Sequence, residues 1–415
     1  MKVLLGIDTW GLVGGTERYA SVVVPELEAR GHEVSVLCRE VTSPGSMQES
    51  SRAVIEEPAL GQPKLSRTAA RELAQRASEL QPDVIYLQAL RSVDALDALI
   101  GVAPLVRFVH DHTLFCPGLN KYHENGELCT SPMGAACLDY YYVKGGCICF
   151  KQVQHQNRIK EPLQVLRDRM REVESTAKAS QVLTNSEYMR DELLRVGFSP
   201  ENTSVLYPFT LSATEATPTG ALPESTQSFL DSSDAPLLLT PARLTLPDKG
   251  VDYLLTVLTM LKGEYRAVIA GSGPVEDYLR QKAIDDGLAD RVHFTGWLDS
   301  GAMESLYAKA DVVVCPSVWN EPFGLVGIEA YSHSKPVVAF RVGGIPEWLE
   351  DGRTGYLVDR LDTWAMACAL EKLITDPAHA RELGAAGREL RDRKFDSEHH
   401  MDSLEALLRA ATGKH

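Results

Sequence analysis

Asp311-Val312-Val313-Val314-Cys315-Pro316-Ser317-Val318-Trp319-Asn320-Glu321-Pro322-Phe323-Gly324-Leu325-Val326-Gly327-Ile328-Glu329-Ala330 reads as a strand, a tight turn and a helix in succession. The apolar run Asp311–Cys315 has the continuous character of a strand buried on both faces. Pro322 and Gly324 let the chain turn sharply into a helix starting near Gly324. The amides of that helix start point outward and make a ready anion site. Glu321 stands before the helix and Glu329 more than a turn inside it, a separation of roughly 8–12 Å along the axis. That span could reach between the two ends of a diphosphate-linked ligand. Read alone, the two carboxylates could equally be solvated.

Outward from this unit the same alternation repeats. Apolar runs stand at 237–240, 266–270, 292–295 and 336–340 behind and ahead of it. An earlier set stands at 3–7, 34–37, 84–87, 105–109 and 181–184, with helical patterns at 17–30, 67–80 and 162–178 between. Strands alternating with helices predict parallel sheets covered on both faces. The length of 415 residues allows roughly two to three domains. Residues 211–235 are rich in Ser, Thr, Ala and Pro and poor in large apolar side chains, the composition of a linker. The expected organisation is an N-terminal Rossmann-like domain over 1–206, a linker over 207–235, a second Rossmann-like domain over 236–394 and a C-terminal helix within 395–415. The fold class is α/β, with two doubly wound domains facing across a cleft. Ligands of such sheets bind beyond the carboxyl ends of the strands.

Composition narrows the function. With 42 Lys+Arg against 57 Asp+Glu the net charge is −15, which argues against a nucleic-acid partner. No apolar run approaches 18 residues, so no membrane span is expected. Residues 2–7 are too short for a signal peptide and read as a strand, which makes the cytoplasm the default location.

Several loops at strand ends carry chemistry. Arg243 and Lys249 lie in the loop after 237–240, where two cations would neutralise a diphosphate, one as a fork and one as a point charge. Gly271-Ser272-Gly273 follows 266–270, but it has no third glycine at dinucleotide spacing and no acidic residue to hold a ribose, which argues against a dehydrogenase. Gly11-Leu12-Val13-Gly14-Gly15 joins the first strand to the first helix and permits a phosphate or sugar to come close, or is a simple flexible turn. His110 ends the strand 105–109, where it could orient or polarise a sugar hydroxyl.

Together these segments resemble the retaining, nucleotide-sugar-dependent glycosyltransferases of family 4, which have the two-Rossmann-domain GT-B fold. The resemblance rests on Gly14-Gly15-Thr16-Glu17, His110-Asp111, Arg243 with Lys249-Gly250, Gly271-Ser272-Gly273, Gly296-Trp297-Leu298, Glu321-Pro322-Phe323-Gly324, Glu329, 336–339 and Gly343-Gly344-Ile345-Pro346-Glu347. It implies that Arg243 and Lys249 hold the donor diphosphate as it leaves. Glu321 would bind donor sugar hydroxyls with help from the amides of Phe323, Gly324 and Leu325, and Glu329 would bind the ribose. The turn Gly296–Leu298 would receive the base, Gly271 would line the donor site, Gly14 and Gly15 would approach the phosphates, and His110 would sit near the anomeric carbon. It further implies no catalytic metal, a UDP- or GDP-linked donor and a glycan, lipid-linked or small-molecule acceptor, as in polysaccharide biosynthesis. One departure stands out: Tyr207-Pro208-Phe209-Thr210 replaces the Asn-Gly-hydrophobe-Asp turn common in the family. Two other readings fit a two-domain architecture, a non-hydrolysing sugar-nucleotide epimerase and a catalytically inactive sugar-nucleotide-binding or scaffold protein.

Two features stand apart. Cys116, Cys129, Cys137, Cys147 and Cys149 crowd one segment, 111–150, an insert resembling a Cys-bearing loop of some family members. Four of the five make a candidate structural zinc site, with disulfides or free thiols as the alternatives. Between Lys151 and Lys178 seven basic residues stand among four acids, and Leu163, Leu166, Met170 and Val173 recur at helical spacing. Such a helix suits peripheral docking on an anionic membrane, or simply packs its apolar face on the sheet.

Overall fold

The computed structural model describes residues 1–11, 15–42, 53–90, 92–118, 120–123, 126–144, 147, 160–210 and 220–413. Gly14, Cys149, Lys151 and Arg158 lie outside them. The chain divides into one unit of Met1–Tyr207 with Glu398–His415, and another of Pro208–Ser397.

The first unit is built from β1 (Lys2–Trp10), α1 (Gly15–Ala29), β2 (Glu33–Val41), β3 (Val54–Glu56), α2 (Arg67–Glu79), β4 (Val84–Leu87), α3 (Val93–Ile100), β5 (Leu105–Val109), α4 (Ala135–Tyr142), α5 (Lys160–Thr176), β6 (Gln181–Thr184), α6 (Glu187–Arg195) and β7 (Thr203–Val205). Its strands form one parallel sheet in the order β3-β2-β1-β4-β5-β6-β7. The central strands are buried along their whole length, as the continuous apolar runs require. The order reverses between β1 and β4, and ligands of open sheets bind at that switch point.

The second unit holds α7 (Glu224–Asp231), β8 (Leu237–Pro241), α8 (Val251–Met260), β9 (Arg266–Ala270), α9 (Glu276–Asp285), β10 (Val292–Gly296), α10 (Ser300–Lys309), β11 (Val312–Cys315), α11 (Leu325–Ser332), β12 (Val337–Phe340), β13 (Gly355–Val358), α12 (Thr363–Thr375) and α13 (Pro377–Lys394). Its parallel sheet runs β10-β9-β8-β11-β12-β13, with the reversal between β8 and β11. Both units are therefore Rossmann-like.

Two expectations need correction. The stretch 207–235 is not wholly a linker. From Gly220 onward it packs on the second unit: the Gly220 amide donates to the Gly301 carbonyl at 2.8 Å, and Thr226 and Leu230 of α7 are buried. Two buried side chains on a short helix suffice to dock a stretch whose overall composition is polar. The C-terminal helix α14 (Ser397–Thr412) is not separate either; it belongs to the first unit, where Arg30 pairs with Asp402 at 2.5 Å and His32 with Glu405 at 3.3 Å.

Candidate functional site

In the second unit the switch point lies between β8 and β11, and the loops after these two strands carry Arg243, Lys249 and Glu321. Lys249 Nζ donates to Glu321 Oε1 at 2.6 Å, and Ser317 Oγ donates to the same oxygen at 2.6 Å. The ammonium also stands 5.2 Å from the centre of the Trp319 ring. Burial disfavours charge on both groups, but the pair more than offsets it. Lys249 is held above its ordinary value and Glu321 below its own.

The backbone clamps both partners. Gly250 has φ +62°, and a Cβ there would stand 2.0 Å from the Pro316 carbonyl oxygen, so only glycine lets the Lys249 loop lie on the Glu321 loop. Gly343 (φ +51°) plays the same part behind Glu321, where a Cβ would meet the Glu321 carbonyl at 2.1 Å. The Gly344 amide donates to that carbonyl at 2.8 Å. Arg243 is different: its side chain is 69% exposed, and its ion-pair contact, Nη2 to Asp248 Oδ2, is long at 3.9 Å.

Gly324 caps α11 in a left-handed conformation (φ +91°), and no side chain caps that helix start. The Phe323 ring is buried edge-on against Phe395 at 5.5 Å, while its carbonyl accepts from Trp348 Nε1 at 2.7 Å. Phe323 is thus a packing anchor. Leu325 is exposed. Inside α11, Glu329 accepts from the Tyr307 hydroxyl at 2.8 Å. Gly271 and Gly296 join the loops after β9 and β10, the Gly271 amide donating to the Gly296 carbonyl at 3.0 Å. Leu298 is half-buried beside the exposed Trp297.

In the first unit Gly15 is the exposed first residue of α1, with open space where a Cβ would stand. His110 follows β5. Its Nε2 lies 2.7 Å from Gln88 Oε1, and its ring packs against Phe108 with centroids 4.1 Å apart. With the Gln88 oxygen as acceptor, Nε2 carries the proton and Nδ1 the lone pair. Burial pushes His110 down to about 4, so it is neutral at pH 7. Behind it Tyr19 bonds Tyr86 at 2.7 Å and His400 of α14 at 2.9 Å. His400 Nδ1 in turn reaches the Tyr207 carbonyl at 2.7 Å.

Among the described residues no three His, Cys, Asp or Glu side chains gather as a metal site. Cys116, Cys129 and Cys137 are unbridged. The Cys116 thiol is pushed up to about 12, first by burial and then by the neighbouring Cys147 and Cys129. The expected apolar face of α5 is divided: Leu166 is buried and Val173 half-buried, but Leu163 and Met170 are exposed. Arg171 pairs with Asp94 and Asp97, and Arg169 with Glu172. No described helix is long and apolar enough to cross a membrane.

Sequence reasoning missed Ser317, Tyr307, Gln88 and His400. Ser317 lies inside the decisive stretch and was within reach; the others belong to no motif.

Comparison with known proteins agrees with this architecture. Residues 13–210 match the family described as Glycosyltransferase Family 4, and residues 223–390 match that described as Glycosyl transferases group 1. A GDP-mannose-dependent alpha-(1-6)-phosphatidylinositol monomannoside mannosyltransferase of Mycolicibacterium smegmatis is 36% identical over 164 residues, 37% of this chain and 43% of that protein. The alpha-D-kanosaminyltransferase of Streptomyces kanamyceticus is 32% identical over 179 residues, 42% and 46% of the two chains. The chain thus spans about half the length of the curated relatives it matches. Among solved structures, Anabaena HepE in complex with UDP superposes with a TM-score of 0.67 at 21% identity, covering 99% of this chain and 100% of that one. A glycosyltransferase from Rickettsia africae gives 0.72 at 16% identity, covering 99% and 98%. At these identities the likeness is one of fold, the GT-B plan of two Rossmann-like units. Matched in succession along nearly its whole length, the chain belongs to the family 4 glycosyltransferases.

Proposed function

We propose that this protein transfers a sugar from a UDP- or GDP-linked donor to a hydroxyl of a glycan, lipid-linked or small-molecule acceptor, retaining anomeric configuration. The observation that carries the reading is the Lys249–Glu321 pair clamped at the β8/β11 switch point with the exposed Arg243 beside Asp248. Lys249 and Arg243 take the diphosphate, and Glu321, held by Ser317, accepts from donor sugar hydroxyls. The helix-start amides at Gly324 and Leu325 add donors of fixed direction, and Glu329 takes the ribose. The acceptor oxygen bonds to the anomeric carbon as the bond from that carbon to the phosphate oxygen breaks. The electron pair leaves with the diphosphate, where the two cations stabilise it, and the acceptor proton passes to the same phosphate. His110, neutral with its Nδ1 lone pair available, accepts from a sugar hydroxyl. Preorganised charge aimed at a leaving group is the largest single source of rate in such chemistry.

Labelled UDP- and GDP-sugars incubated with a crude lipid extract test the reading, with transfer of label to an extractable product expected. Arg243→Ala should lower turnover by about 10²-fold or more, as loss of a preorganised charge does, with little change in melting temperature because the side chain is exposed. Unchanged turnover in the folded variant removes Arg243 from the site.

The α5 surface supports peripheral docking on anionic lipid. Leu163 and Met170 are exposed beside Arg167, for which no ion pair is seen among the described residues. The phosphatidylinositol monomannoside mannosyltransferase is a relative named for a lipid acceptor. The Cys-bearing segment keeps its reading as a structural zinc site on the strength of its five crowded cysteines; elemental analysis should then give about one zinc per chain.

A further inference from the structure

Glu329 lies on α11, and only one of its carboxylate oxygens is engaged among the described residues. Oε2 accepts from the Tyr307 hydroxyl at 2.8 Å, while Oε1 has no donor among the described residues. Tyr307 comes from α10 and is almost fully buried, at 3% exposure. Its ring lies parallel to His333 at the end of α11, 5.5 Å between centroids with 8° between planes. His333 Nε2 reaches back to Glu304 of α10 at 2.7 Å. Two pairs therefore join α10 to α11, Tyr307–Glu329 and Glu304–His333.

The ring and the hydroxyl of Tyr307 do separate jobs. Stacking on His333 and filling the space between the helices need only the ring, which phenylalanine would supply. A buried phenol is costly unless it is bonded, and this one donates to Glu329. Burial first, and the carboxylate beside it second, raise the Tyr307 hydroxyl well above its ordinary value, so it stays a donor at any working pH. A half-buried glutamate on a helix samples several rotamers unless something fixes it. Here the fixed donor holds one oxygen and leaves the other to accept.

We infer that Tyr307 is a positioning residue for nucleotide recognition: its hydroxyl locks the Glu329 carboxylate so that Oε1 meets the ribose diol of the donor. The inference rests on the proposed role of Glu329 at the ribose. It gives α10, which bears no donor-binding motif, a part in the choice between ribose and deoxyribose.

The test is calorimetric binding of UDP and GDP, and of the 2′,3′-dideoxy counterpart of whichever binds, to wild type, Tyr307→Phe and Glu329→Ala. Wild type should prefer the ribonucleotide by about tenfold, roughly the worth of one well-made charge-assisted hydrogen bond. Glu329→Ala should abolish the preference. Tyr307→Phe should reduce it severalfold while binding the dideoxynucleotide as wild type does, a split that general damage to the fold would not produce. A preference that survives Glu329→Ala overturns the ribose role of Glu329. A preference lost in Glu329→Ala but intact in Tyr307→Phe leaves that role standing and overturns the positioning by Tyr307. Should the phenylalanine variant be poorly folded, Tyr307→Met fills the same space without a hydroxyl and is read in the same way.

Discussion

Lys249–Glu321 in the second unit and His110 in the first occupy equivalent places, each in loops beyond the carboxyl ends of strands near a switch point, with Glu321 buried and Lys249 and His110 half-buried. Burial pushes all three groups toward neutrality. It prevails at His110, whose ring bonds a neutral amide, and the histidine is uncharged at pH 7. It fails at Lys249 and Glu321, because each is the other's counter-charge at 2.6 Å. The same desolvation thus yields a neutral hydrogen-bonding site in one unit and a fixed charged one in the other. What decides is the partner that the neighbouring loop supplies, and in the second unit Gly250 and Gly343 let those loops come close enough to supply it.

The largest effect should come from breaking the charged side. Lys249→Ala leaves Glu321 buried without a counter-ion, which should cost about 3–5 kcal/mol of stability and most of the turnover. The double variant Lys249→Ala/Glu321→Gln removes the stranded charge and should regain most of that stability while remaining inactive. Urea unfolding of wild type and the two variants decides it. If the double variant were no more stable than the single, the loss would come from packing and the contrast with His110 would not be electrostatic.

The neutral side should show itself in pH. His110 and His400 are both held down to about 4, His110 chiefly by burial, and His400 by burial and then, among other groups, by His110. An unfolded chain takes up protons at histidine below about 6.5, while the native state does not until about 4. Stability is therefore full above about 6.5 and lost as pH falls from there toward 4. Each histidine contributes on the order of 2–3 kcal/mol to the loss by pH 4.5. The carboxylate of Glu321 works in a lower window, since its depressed value gives stability present above about 4.5 and lost below. Unfolding of wild type and His400→Gln at pH 7 and pH 5 isolates the first window. The variant should lose clearly less stability than wild type over that interval. Equal losses would mean that His400 titrates normally.

The two sides were not equally legible in the sequence. Lys249, Glu321 and His110 were readable because each follows an apolar run that can only be a central strand, and strand ends are where such folds bind ligands. The strands themselves were placed to within a few residues where they are buried on both faces. The edge strands β3, β7 and β13 were not expected, because an edge strand needs no continuous apolar run; Val54–Glu56 is largely exposed. What decides protonation was invisible. Nothing in the spacing of residues 249 and 321 says that their side chains meet, or that a helix at residue 400 returns to stand behind residue 110. Tyr307 and Gln88 act through individual side-chain hydrogen bonds, and a single bond between residues distant in sequence leaves no periodicity to read.

The smallest effect tests whether the contrast extends one layer outward. Ser317 donates to Glu321 at 2.6 Å, as the Gln88 oxygen fixes His110 at 2.7 Å. The two supports differ in kind. The serine bond ends on a carboxylate and is charge-assisted, while the glutamine bond joins two neutral groups. Charged hydrogen bonds contribute about 1.5–3 kcal/mol and neutral ones about 1. Glu321 keeps Lys249 when Ser317 is removed, so Ser317→Ala should cost at the lower end of its range. Turnover should fall about tenfold, with a rise in the depressed Glu321 value that moves the acid limb of the rate profile toward neutral pH. Gln88→Ala should cost a few-fold and leave that limb in place, because His110 carries no charge to lose above pH 4. Rate–pH profiles of the two variants separate the supports. If Gln88→Ala moved the acid limb and Ser317→Ala did not, the protonation that limits turnover would lie at the histidine, and the charged and neutral sides would have to exchange their assigned parts.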